Sequence, residues 1–448
     1  MRRKKAFLLL LAAGIIAGYL CGCATCEEGT TVEQNVEDGV ISGIRTGILR
    51  QGISGQFKSF ECTAERVYFM SNISGVPVLY YSTHQSDVMA PLCAVKGCAH
   101  TGDDCEARFE ANGNVCAFDS RLYVTAGTSL YRLNYDGTGR EKVLDMLDHA
   151  DGYNGIAEPK LWNGVLTYYL TECNADGEIK GEFQKYDPYY YRLDGSMNEP
   201  APMENLIAQY NDGNAFIMRG PAQKGESSER MLYSWDPTDN TATLLLDSAA
   251  LMDQFYQTSV LQEELEFWKT AGISIDENIR RYEAYAEGYW GESCAYDLRN
   301  GVICKTTYAD GSTEELFDTG LSGIFHMICF PDCILLTEIS NEDTVKNHTV
   351  LQKPAVYVYN WDFELLGQYR TEIALRVSPK DFICGESRDR IYLAVHCIGL
   401  PEYYLEKEEL LSGQFTPHPI KYTSVDLEAK FSEIDVIIAE FEKELYQS

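Results

Sequence analysis

Three cysteines and a histidine crowd into the stretch PLCAVKGCAHTGDDC, residues 91–105: Cys93, Cys98, His100 and Cys105, in the spacing C-x4-C-x-H-x4-C. Thiolates and a neutral imidazole are ligands for a tetrahedral soft cation. Three sulfurs and one nitrogen fill such a site, as in structural zinc centres, and leave no position for a reacting water. The spacing departs from the paired C-x2-C knuckles of common zinc modules. The same residues could instead close disulfides, with Cys93 joined to Cys98 and Cys105 to Cys116, or stay as free thiols. Which chemistry applies depends on compartment and on the elements that hold the stretch.

The compartment is written at the N-terminus. MRRKK precedes the apolar run AFLLLLAAGIIAGYL (residues 6–20), the order of a secretory signal. Leu20-Cys21-Gly22-Cys23 follows and resembles a bacterial lipobox, which makes Cys23 the acylated residue and 1–22 the signal peptide. An acidic, polar segment, 23–56, then reads as a lipid-anchored tether. An exported chain meets oxidising conditions in which disulfides persist. Of its 15 cysteines, 13 remain once Cys21 and Cys23 are set aside, so at least one thiol stays unpaired.

The net charge of −31 over 448 residues opposes binding to phosphate backbones and excludes nucleic acid as a natural partner. The 30 tyrosines suit a β-protein, where a flat ring packs on a pleated surface and its hydroxyl finds a partner. The body repeats one theme. An apolar strand, a polar turn and an aromatic strand (60–71, 115–127, 159–170, 327–339, 382–396) alternate with Tyr-rich hairpins (129–145, 189–204, 231–247, 356–370). Asn-Gly or Asp-Gly pairs mark tight turns at 136–137, 163–164, 194–195, 300–301 and 310–311. Two hairpins make a unit of about 45 residues, the size of a propeller blade. Seven units fall near 57–92, 112–146, 159–206, 212–247, 286–318, 324–374 and 380–425. The expected fold is all-β: one β-propeller over 57–425, with a helical insertion at 248–285 and an amphipathic C-terminal helix over 426–448.

The lipobox, the Tyr-rich blades and the first-unit motif Leu92-Cys93-x4-Cys98-x-His100-x4-Cys105 together resemble an uncharacterised group of propeller lipoproteins of Gram-positive gut bacteria, with blades like those of TolB-type propellers. The resemblance spans nearly all of 1–425. It implies a fold and an address, and no activity.

No H-E-x-x-H, G-x-S-x-G, P-loop or dinucleotide fingerprint occurs in the chain. The expectation is a lipid-anchored protein on the extracellular face of the cell membrane, binding a glycan, peptide or protein without turnover. Trp268, Tyr282, Tyr285 and Trp290 are the candidate ligand-binding rings. The rival reading is an extracellular propeller hydrolase or lyase acting on polysaccharide or peptide. No cofactor is expected beyond a structural zinc at the cluster. Metabolic labelling with a fatty-acid probe should tag the wild-type chain and leave Cys23→Ala untagged; a tag lost only in Cys21→Ala would move the acylation site.

Overall fold

The computed structural model describes residues 60–72, 76–100, 105–148, 155–162, 164–171, 187–195, 198–200, 207–210, 216–221, 230–247, 289–290, 293–299, 301–330, 332–340, 353–370, 383–395, 400–424 and 427. The signal, Cys23 and the tether, the 248–285 insertion and nearly all of 426–448 lie outside them. The described residues are mostly strand, and α1 (Lys407–Leu411) is the one α-helix among them with a full turn.

They form seven sheets, six of four antiparallel strands consecutive in the chain and one of four such strands joined by a fifth, parallel strand from residues 421–422. The chain groups into two compact units. The first unit holds three sheets. One contains β1 (Phe60–Cys62), β2 (Arg66–Ser71), β3 (Val78–Thr83) and β4 (Val88–Pro91). The next contains β5 (Val115–Phe118), β6 (Arg121–Ala126), β7 (Ser129–Leu133) and β8 (Glu141–Asp145). The third contains β25 (Ile383–Glu386), β26 (Arg390–Leu393), β27 (Tyr403–Glu406) and β28 (His418–Pro419). The second unit holds four sheets, from β9 (Gly155–Trp162) to β24 (Leu365–Arg370).

Within a sheet, burial falls from the second strand to the fourth. β2 and β6 are buried on both faces over nearly their whole length, so their sequences RVYFMS and RLYVTA read as continuous rather than alternating apolar runs. The fourth strands β8 and β20 (Thr313–Asp318) carry exposed charged side chains, which discourages pairing with another chain at that edge, while β24 exposes Leu365 beside polar residues. The same edge repeats two further devices. A bulge interrupts third-to-fourth-strand pairing at Leu130/Tyr131, Leu232/Tyr233, Ile303/Cys304 and Val358/Tyr359. In those same hairpins an Asp or Asn side chain closes the turn: Asp136 accepts from the Thr138 amide at 3.0 Å, Asp236 from Thr238 at 2.7 Å, Asp310 from Ser312 at 3.0 Å and Asn360 from Asp362 at 3.0 Å.

In the first unit, β1 has β5 on one side and β25 on the other. Tyr68, Met70, Leu79, Leu92, Phe109, Val115, Leu122, Val124 and Leu133 pack as one core across the first two sheets. The third sheet is bound to the first by β29 (Lys421–Tyr422), which runs parallel to β4. The Tyr422 ring stands edge-on to Phe69 and Tyr80, and its hydroxyl donates to the Pro401 carbonyl at 2.7 Å. Arg390 lies over the Tyr404 ring, ion-pairs with Glu406 at 3.0 Å and donates to the Ser86 carbonyl at 2.7 Å. Lys407 and Glu386 form a buried ion pair. In the second unit, Tyr296, Ile303, Phe325, Met327, Ile334, Leu336 and Tyr359 make the equivalent core between two sheets.

Close approach explains one glycine. A Cβ on Gly385 of β25 would fall 2.5 Å from the ring of Phe60 on β1. Gly385→Ala should therefore overpack the seam and lower stability by roughly 1–3 kcal/mol. The urea midpoint measures this, and an unchanged midpoint would mean that β1 and β25 yield freely.

Candidate metal centre

Strand β3 sets the clustered residues in place. The Leu92 amide donates to the Leu79 carbonyl at 2.8 Å, and the Leu79 amide donates to the Ala107 carbonyl at 2.8 Å. The chain therefore leaves and returns at one residue, and the excursion between is a closed loop. Beyond the return, Arg108 bridges Val78 and the Phe109 amide donates to the Pro77 carbonyl at 3.0 Å. Leu92 and Phe109, on either side of the excursion, are buried in the core shared by the first two sheets.

Inside the loop, the Cys98 amide donates to the Val95 carbonyl at 3.2 Å, closing a four-residue turn. Its third position is Gly97 at φ +75°, the left-handed value that a type II turn requires there. Two residues on, His100 holds φ +57° although it carries a side chain. That conformation costs roughly 1–2 kcal/mol for an L-residue, and such strain concentrates where a side chain has to be aimed. The His100 Nδ1 atom stands 3.4 Å from Cys105 Sγ, and the His100 amide donates to Cys98 Sγ at 3.4 Å. The ligand atoms of Cys93, Cys98, His100 and Cys105 all lie within 4.8 Å of one another. Cys105 is buried and the other three are half-buried.

Burial tends to raise the Cys93 thiol, but amide donors from Val95 and Glu106 and hydrogen bonds from Cys98 and Cys105 outweigh it, and its pKa is lowered. Cys105 moves the other way. Burial, then the neighbouring Cys98 and Cys93, push it up to about 12 against a hydrogen bond from the Ala107 amide. Mutual repulsion prevents all the thiols from ionising together unless a cation joins them. With a cation present, the group can bind a metal in a closed set of three sulfurs and one nitrogen.

Cys116 stands outside this group. It lies on β5 between Val115 and Ala117, which face the shared core, so alternation turns its side chain to the opposite face. Cys93, Cys98 and Cys105 are free thiols in the structure. Cys329 and Cys384 are buried core residues of β21 (Ile324–Cys329) and β25. Trp290 lies on β17 (Tyr289–Trp290), paired with Ala295, while Trp268, Tyr282 and Tyr285 fall outside the described residues.

Spacing alone did not reveal the supports. Arg140, 35 residues beyond Cys105, donates to the carbonyls of Glu106 and Arg108 and lies over the rings of Phe109 at 5.1 Å and Tyr131 at 5.9 Å. The His100 amide that donates to Cys98 also belongs to no side-chain motif, since every residue but proline carries one.

No family model matches the chain. Over 84 residues it is 29% identical to the parasporal crystal protein Cry18Aa of Paenibacillus popilliae, a match that covers 19% of this chain and 12% of that protein. Among solved structures, TolB from Acinetobacter baumannii is 10% identical, with 71% of this chain and 65% of that one covered and a TM-score of 0.30. The β-propeller domain of the Trilobed protease from Pyrococcus furiosus is 12% identical, with 60% and 72% covered and a TM-score of 0.31. A chain of the mitotic checkpoint complex is 9% identical, with 82% and 95% covered and a TM-score of 0.36.

Arg140→Ala should remove the clamp on the returning strand and cost about 1–3 kcal/mol, as charged hydrogen bonds to carbonyls do. Arg140→Lys should recover only part, because an ammonium lacks the planar fork. Denaturant midpoints check both, with the exposed Arg388→Ala as a control within about 0.5 kcal/mol of wild type.

Proposed function

We propose that the seven sheets are the blades of one β-propeller, held at the extracellular face of the cell membrane by lipid on Cys23, and that the protein binds a glycan, peptide or protein partner without turning it over. The observation that carries the fold part is the arrangement of first strands. β1 sits between β25 and β5, so the last sheet neighbours the first, as ring closure requires. Parallel pairing of β29 with β4 supports the same closure. A rigid ring of this kind displays its loops at two mouths, which is where recognition belongs. Trp268, Tyr282, Tyr285 and Trp290 are the rings assigned to contact a sugar or peptide. The Cys/His group serves structure as a zinc site, because its ligands leave no position for a substrate or water.

The test offers a panel of glycans and peptides to the soluble form, residues 24–448. Saturable binding without product is the expected result. Turnover of any member, abolished by replacing one carboxylate of the channel, would overturn the binding reading in favour of a hydrolase or lyase.

A further inference from the structure

The ligand atoms of Cys93, Cys98, His100 and Cys105 lie within 4.8 Å of one another, with Cys105 buried and the other three half-buried. The His100 amide donates to Cys98 Sγ at 3.4 Å, and an amide donor aimed at sulfur favours the thiolate over the thiol, as outer-shell partners do in metal sites.

The histidine supplies an independent observation. Cys98 closes the turn at Gly97, so the chain is not extended where it enters the C-x-H pair. The left-handed backbone of His100 reverses the chain direction locally and brings Nδ1, the nearer ring nitrogen, to 3.4 Å from Cys105 Sγ.

We infer that this group is a Zn(II) site with Cys93, Cys98 and Cys105 as thiolates and His100 bound through Nδ1, and that the ion locks the seam between the first two sheets. The inference rests on the reading of the group as a structural metal site and adds the coordinating atom and the element stabilised. Loading displaces three thiol protons and leaves the centre with a net charge of −1. His100 keeps its remaining proton on Nε2. The seam follows from attachment. Leu92 and Ala107 flank the excursion and both bond to Leu79, while Phe109 and Arg140 join the returning strand to the second sheet.

The full chain, purified in detergent with zinc, should retain about one zinc per chain with a sulfur-rich shell containing one nitrogen by X-ray absorption. Cadmium-exchanged protein with isotope-labelled histidine should show scalar coupling from the metal to Nδ1 of His100. Cys98→Ser should weaken zinc binding at least roughly tenfold, whereas Cys116→Ala should leave it unchanged. Stripping the metal should speed hydrogen exchange at residues 92–109 by at least roughly tenfold without global unfolding. If Cys98→Ser does not fold, the coupling and the stripped-protein exchange carry the test unaided. Zinc retained with coupling to Nε2, or with its shell unaltered in His100→Ala, would overturn the assigned ligand and leave the structural-metal reading standing. Zinc retained but stripped with no change in exchange would overturn the locked seam alone. A chain that holds no zinc and yields peptides cross-linked among Cys93, Cys98 and Cys105 would overturn both readings.

Discussion

A sheet of four short antiparallel strands has two broad faces, and in this chain both faces of the second strands are apolar. Val67, Tyr68, Phe69 and Met70 are successive residues of β2, and all are buried, so no single neighbour can cover that strand. The need to bury both faces forces one sheet against the next, which is why the core clusters bridge sheets rather than lie within one. It also sets the composition. A tyrosine ring fills the space between two pleated surfaces and carries a hydroxyl that can reach a backbone carbonyl at the rim, as Tyr68 does to Tyr135 at 3.2 Å and Tyr422 does to Pro401.

That constraint makes each connection between sheets a weak point, because it must leave one sheet and enter the next without regular pairing of its own. Between the first two sheets the chain gives the passage three supports. Leu79 ties both ends to β3, Leu92 and Phe109 sink into the shared core, and Arg140 reaches over from the second sheet to cap two carbonyls. The sulfur and imidazole group occupies the part of the passage that those supports do not reach. A covalent or coordinate cross-link suits that position, since the loop offers few apolar side chains that could order it by burial.

Outer edges are handled differently. In four hairpins the fourth strand is bulged and the turn is closed by an Asp or Asn side chain, and β8 and β20 add exposed charges. The bulges twist the edge away from a flat ladder, and the charges oppose docking of another strand. The pair Lys407–Glu386 is one of the charged groups buried away from these edges. It lies where α1 begins and joins the end of β25, so the two charges neutralise each other inside the third sheet.

Much of this was legible in the residue order. Hairpin signals such as Asp136-Gly137 and Asn300-Gly301 depend on local conformational preference, so most strands fall within the repeat segments read from sequence, although β9 begins ahead of its segment and the strand Ile207–Tyr210 falls between two segments. The candidate ligand group was legible too, because Cys93, Cys98, His100 and Cys105 are near neighbours in the chain, and the fold brings their ligand atoms within 4.8 Å of one another. Cys116 was not separable from them by spacing: only the strand's alternation turns it to the other face. Nor could sequence order show that Leu79 closes the loop, that Arg140 clamps it, or that Phe60 fills the space over Gly385, since each of those contacts joins residues far apart in the chain. The bulged edges escaped for a related reason, because a bulge is a mismatch between two strands and neither strand records it alone. Local chemistry thus determined the period, the turns and the grouping of the three cysteines with His100. Tertiary packing decided which sulfur faces the group, what supports it, and how the last sheet meets the first, because those outcomes depend on burying faces against partners that the chain order does not place side by side.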